Sequence, residues 1–69
     1  MDPKTKELVG IAAAVAGHCR KCFAYHFGEA KKLGVSIEEI KEAVEFSKAI
    51  RHAGDTGTDD FVNKTMSLK

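Results

Sequence analysis

The 69-residue chain has two cysteines, set three positions apart in Cys19-Arg20-Lys21-Cys22, and His26 stands four positions further on. On a helix these offsets place Cys19, Cys22 and His26 on one face. A CxxC pair at a helix N-terminus is a redox arrangement. The helix dipole and the unpaired N–H groups of the first turn favour a thiolate, and Arg20 and Lys21 add positive charge between the two sulfurs. Thiols this close can cycle between dithiol and disulfide by exchange. One turn beyond Cys22, His26 is placed to accept a thiol proton and return it to a leaving group. A histidine in that role needs a third group to orient it. Glu7, one turn before Ile11, is the acid nominated: with the first two helices antiparallel, it approaches the far side of the Cys22–His26 pair.

The same side chains admit two other readings. Cys19, Cys22 and His26, with His18 or His52 as a fourth donor, would suit a tetrahedral zinc site, which would also staple a small fold. Structural zinc sites usually draw their second ligand pair from a distant segment, whereas here three donors fall within one helix. The plainest reading is a pair of inert thiols beside a surface imidazole. His52, next to Arg51, reads as a cation at a helix C-terminus. Tyr25, Phe23, Phe27 and Phe46 read as core or subunit interface.

The elements that position these residues are helices with short joints. Pro3 suits the start of a first helix, and Leu8, Ile11, Ala12 and Val15 share one of its faces. Gly17 is its expected stop. A second helix is predicted from near Cys19 to Leu33, with Phe23, Phe27 and Ala30 as one stripe and Cys22, His26, Glu29 and Leu33 as the next. Gly34 ends it. Ser36-Ile37-Glu38-Glu39 is a capping box, flanked by Val35 and Ile40 as a hydrophobic staple. The third helix then presents Ile37, Ile40, Val44 and Ser47 on one face and Ala43, Phe46 and Ile50 on its neighbour, and Gly54 ends it. Asp55-Thr56-Gly57-Thr58 reads as a loop. A short last helix from about Asp59 to Met66 would present Phe61, Val62 and Met66. No strand periodicity competes. The expectation is an all-α single domain over 1–69: a hairpin whose second helix carries the CxxC, a third helix packed on it, a core at about 5–54, and 55–69 as tail or short helix.

Composition sets the outer limits. A chain of 69 residues buries only about 60% of its unfolded surface and is marginal alone. A cysteine pair three residues apart constrains the unfolded chain very little. A partner subunit is the expected source of stability. The longest apolar run, Ile11 to Ala16, falls far short of the ~20 residues of a membrane span. Asp2, Pro3 and Glu7 argue against a secretory leader. The expected compartment is therefore the cytoplasm, where thiols stay reduced. Eleven basic against ten acidic residues, net +1, give no footprint for nucleic acid. Locally, residues 18–34 carry a net +3 and residues 35–54 a net −1, so the cysteines lie in the electropositive part.

Taken together, Glu7, then eleven residues, then Cys19-x-x-Cys22 and His26 resemble the alkylhydroperoxidase D signature, Glu-x11-Cys-x-His-Cys-x3-His, of the carboxymuconolactone decarboxylase-like superfamily. The run His26-Phe27-Gly28-Glu29-Ala30-Lys31-Lys32-Leu33-Gly34-Val35-Ser36-Ile37-Glu38-Glu39-Ile40 is also similar to that family, and the likeness covers roughly residues 5–54. The resemblance implies an all-helical fold assembled as a homo-oligomer (dimer, trimer or hexamer). It implies Cys22 as the peroxidatic thiol, Cys19 as the thiol that resolves its sulfenic acid to a disulfide, and His26 with Glu7 as the proton relay. A hydroperoxide or disulfide is the implied substrate, no cofactor is bound, and an external dithiol or thiol carrier protein is the reductant. One position departs from the signature: Lys21 stands where the family has histidine. His18 lies three residues away, about 300° round a helix, and Lys21, with a reference pKa of about 10.4, shuttles protons poorly at neutral pH. A decarboxylase-type member acting on carboxylated lactones is the non-redox alternative, and it has no use for a CxxC pair.

Overall fold

Asp2 opens the first helix, α1 (Pro3–Ala16), by accepting the Thr5 backbone N–H at 2.9 Å and the Thr5 hydroxyl at 2.8 Å. The Thr5 backbone N–H bond holds the Asp2 carboxyl below its ordinary pKa. Pro3 follows at a position where a missing N–H costs nothing. The structure, a computed structural model, describes residues 1–54 and 57–66. Within them α1 is followed by α2 (Arg20–Lys32), α3 (Ile37–Ala53) and α4 (Thr58–Thr65), and the described residues contain no strand. The all-α architecture is as the periodicity predicts. The expected loop lies partly outside the described residues, at Asp55 and Thr56, as does the end of the expected tail, 67–69. Thr58 already begins α4, one residue ahead of the expected start.

Both joints around α2 use the same hydrogen-bond pattern. At the end of α2, the Val35 N–H reaches the Ala30 carbonyl at 3.0 Å and the Gly34 N–H reaches Lys31 at 3.1 Å, with Gly34 at φ 82°. This is a Schellman motif, and its apolar contact is present because Ala30 and Val35 are both buried in one cluster. At the end of α1, Cys19 N–H reaches Ala14 at 2.9 Å and His18 N–H reaches Val15 at 3.3 Å. Here the left-handed residue is His18, at φ 57°, whereas Gly17 has φ −90°. The expected stop at Gly17 is thus shifted by one: the helix does end there, but the strained backbone falls on a residue with a Cβ. The expected capping box of α3 is complete, with Glu39 N–H to Ser36 Oγ at 3.1 Å and Ser36 N–H to Glu39 Oε1 at 3.3 Å. Val35 and Ile40, the two ends of the staple, both lie in the core.

Helix α1 is the middle of the molecule and packs on both α2 and α3. It runs antiparallel to α2, since Glu7 meets His26 and Ala14 meets Cys19. It runs the same way as α3, whose Arg51 donates to the Val15 carbonyl at 2.9 Å. The core is small: Ile11, Ala30, Val35 and Ile40, with Leu8, Phe23, Phe27 and Val44 half-buried around it. Ala14 and Ser47 are also buried, and the Ser47 hydroxyl is satisfied by the Val44 carbonyl at 2.9 Å. Of the stripes predicted for α3, Ile40, Val44 and Ser47 face inward, but Ile37, Phe46 and Ile50 are exposed, Phe46 by 67%. α4 buries no residue.

The surface is large for such a chain. It measures 5508 Å², against ~4,200 Å² for a compact monomer of 7.5 kDa. The radius of gyration is 13.4 Å, against about 11 Å for a compact domain of this length. No helix among the described residues is long and apolar enough to cross a membrane.

Candidate functional site

Cys19 is the N-cap of α2, with extended backbone (φ −110°, ψ 99°), and its Sγ accepts the Cys22 backbone N–H at 3.2 Å. A sulfur takes the place that serine or aspartate oxygen usually fills. The expected single face for Cys19, Cys22 and His26 is therefore corrected at Cys19, which precedes the helix; only Cys22 and His26 follow its periodicity. The cap brings the two cysteines together all the same. Their Cα atoms are 5.3 Å apart and the sulfurs form a disulfide. Cys22 is exposed and Cys19 half-buried. Arg20 and Lys21, in the first turn, point a local positive charge at this end of the helix while no acidic residue occupies that turn.

One turn along α2, His26 Nδ1 lies 2.7 Å from Glu7 Oε1, with side-chain exposures of 27% and 13%. A carboxylate only accepts, so with Glu7 ionised Nδ1 donates the hydrogen and Nε2 is left without that bond. The two residues are 19 positions apart in sequence and meet because α1 and α2 are antiparallel, the arrangement on which the nomination of Glu7 depended.

Gly10 is the member that sequence reading missed. A Cβ built on Gly10 would sit 2.6 Å from two atoms of the His26 ring and 2.8 Å from a third. Only glycine leaves room for the imidazole against α1 at this depth. The signal was there: a glycine inside an apolar helical run, three residues after Glu7, marks a close approach. Tyr25 touches the same ring edge-on, with centroids 5.0 Å apart.

The donors of the metal alternative, Cys19, Cys22, His26 and His18 or His52, are placed as follows. No three His, Cys, Asp or Glu side chains among the described residues are grouped to hold an ion, and the cysteine sulfurs are bonded to each other. His18 contributes backbone geometry at the α1–α2 joint, and His52 lies in the last turn of α3, exposed.

A cleft of about 730 Å³ opens beside the disulfide, between α1, the start of α2 and α3, and is lined by Cys19, Arg20, Phe23, Val44, Lys48 and Arg51 among others. A smaller one of about 370 Å³, lined by Leu8, Glu39, Glu42, Ala43 and Phe46, lies between α1 and α3.

No curated protein and no solved structure matches the chain significantly. A family model does. Residues 1–56, which include Glu7, the cysteine pair, His26 and the whole of α1 to α3, match that of the carboxymuconolactone decarboxylase family, and the chain belongs to that family.

Proposed function

We propose that the protein is a thiol–disulfide oxidoreductase of the alkylhydroperoxidase D type. The observation that carries the reading is the disulfide at the N-terminus of α2, on the same helix as a histidine already paired with a carboxylate. Cys22 is the nucleophile, Cys19 the resolving thiol, His26 the acid–base group and Glu7 the residue that orients it.

The chemistry runs as follows. His26 takes the Cys22 proton, and the thiolate attacks the distal oxygen of a hydroperoxide. The O–O bond breaks, an S–O bond forms, and the departing alkoxide leaves as an alcohol with the proton from His26. Cys19 then attacks the Cys22 sulfenic acid; the S–S bond forms and water departs. Two thiols and one hydroperoxide give one disulfide, one alcohol and one water. An external dithiol returns the two electrons and two protons by exchange, and becomes a disulfide itself. In that step Cys19 is the better leaving group. Its sulfur, accepting the Cys22 N–H, sits where the helix N-terminus stabilises a thiolate. Lys21, in place of the signature histidine, supplies charge to the thiolate and no proton transfer. The cycle needs no bound cofactor and suits the reducing cytoplasm.

The working form is a homo-oligomer. The surface exceeds that of a compact monomer by about 1,300 Å², more than the ~800 Å² each partner gives to a standard interface. Residues 1–69 act as one unit in it.

The reading is tested by adding hydroperoxide to the reduced protein. Intact mass is expected to fall by two hydrogens per chain, through a Cys19–Cys22 bond. Cys22→Ser is expected to abolish peroxide consumption, and full consumption by that variant overturns the mechanism.

A further inference from the structure

The cleft beside the disulfide is sorted by charge. Arg20, Lys48 and Arg51 line it and no carboxylate does. Arg20 makes no ion pair among the described residues. The Arg51 guanidinium is anchored at the mouth by one donor, Nη1 to the Val15 carbonyl at 2.9 Å, which leaves most of its five N–H groups for a ligand. Lys48 shares its charge with Glu45 on the exposed side of α3, at 3.2 Å. The floor is apolar: Ala14, Val15, Phe23 and Val44. The smaller cleft has the opposite character, with Glu39 and Glu42 on its rim and no cation. The volume of the cleft beside the disulfide, about 730 Å³, falls in the ~300–1,000 Å³ range of small-molecule sites.

We infer that this cleft seats an amphiphilic carboxylate, with its apolar chain on Val15, Phe23 and Val44 and its carboxylate among Arg20, Lys48 and Arg51. Arginine suits this because its planar fork matches a carboxylate. Cys19 forms part of the wall and is bonded to Cys22, so a reacting group on such a molecule lies beside the Cys19 sulfur of the disulfide. The role, though not the binding, rests on the redox reading above: the substrate class becomes hydroperoxides or disulfides that carry an acid on an apolar chain. Neutral substrates gain nothing from the three cations.

The probe is octanoate, which cannot react with thiols or disulfides, titrated into the oxidised full-length chain and followed by backbone amide shifts. Saturable shifts at Val15, Phe23 and Val44 are expected, with octanol binding at least about tenfold more weakly. Arg20→Gln and Lys48→Gln are each expected to weaken octanoate several-fold. Both sites are exposed, so the variants are expected to fold, which amide spectra unperturbed away from the cleft check. Equal affinity for octanol and octanoate, or shifts centred elsewhere, overturns the inference. Oxidation of the reduced wild-type protein by hydrogen peroxide separates the two claims. Octanoate that binds while the thiols ignore peroxide sinks the redox reading and leaves the cleft standing; thiols that oxidise while octanoate fails to bind sink the cleft alone.

Discussion

At the scale of single residues, the site depends on a hydrogen bond and on a missing methyl group. Glu7 fixes the hydrogen on His26 Nδ1 and so decides which nitrogen is free for proton transfer. Glu7→Gln keeps the shape and removes the charge, and general acid–base contributions are typically about 100- to 10,000-fold. Peroxide oxidation of the reduced variant is expected to slow by roughly 100-fold or more near neutral pH, at the low end of that range, measured by stopped-flow thiol loss; a normal rate removes the relay. Gly10→Ala tests the same pair from the other side. Its methyl group would enter the His26 ring, so the imidazole must swing away from Glu7. The expected outcome is a loss of rate comparable to that of Glu7→Gln, together with loss of the downfield Nδ1–H resonance in the NMR spectrum. Loss of rate with that resonance intact would assign Gly10 to packing alone.

The helices are defined mainly at their ends, so predictions at this scale concern caps. His18 holds a left-handed conformation that glycine holds freely, at a cost of about 1 kcal/mol for a residue with a Cβ. His18→Gly is expected to stabilise the chain by up to about that amount, less the extra entropy that glycine gives the unfolded chain, read from the urea midpoint at constant m-value. A destabilised variant would show that the imidazole itself makes a stabilising contribution. Ser36→Ala dismantles the capping box of α3 and is expected to cost about 1 kcal/mol. Asp2 adds a pH dependence. Its carboxyl lies below the ordinary value of 3.8 because it accepts the Thr5 backbone N–H. Its contribution is therefore full above that value and is lost as pH falls through the lower folded value. Asp2→Asn is expected to flatten the stability curve only in that acid range.

For the whole molecule, the question is what covers the apolar surface. Ile37, Phe46, Ile50, Phe61, Val62 and Met66 are all exposed on the isolated chain, although three short helices have a core of only four residues in the main cluster. The proposed assembly predicts a mass by light scattering that is a multiple of 7.5 kDa, and a Tm that rises with protein concentration. Phe46→Asp, at a side chain 67% exposed, is expected to lower both. A monomer with a concentration-independent Tm would overturn the assembly, and with it the expectation that a partner subunit supplies the missing stability.

The sequence by itself determined the helices and the cysteine pair at the start of α2. Helix periodicity, the capping box and the glycine at 34 are local signals, set within a few residues of where they act. The cysteine spacing needs nothing beyond the first turn of a helix to close a disulfide. The choice of Glu7 for His26 was also legible, because an antiparallel hairpin fixes which turn of α1 faces which turn of α2. Tertiary structure alone decided the rest. Whether Phe46 faced core or solvent depended on which side of α3 met α1. The close contact of Gly10 with the imidazole depended on the distance between two helix axes. The gathering of Arg20, Lys48 and Arg51 around one cleft brought together residues from two helices that are far apart in sequence. These outcomes follow from how helices pack, and packing is decided by the shapes of whole faces rather than by any short stretch of chain.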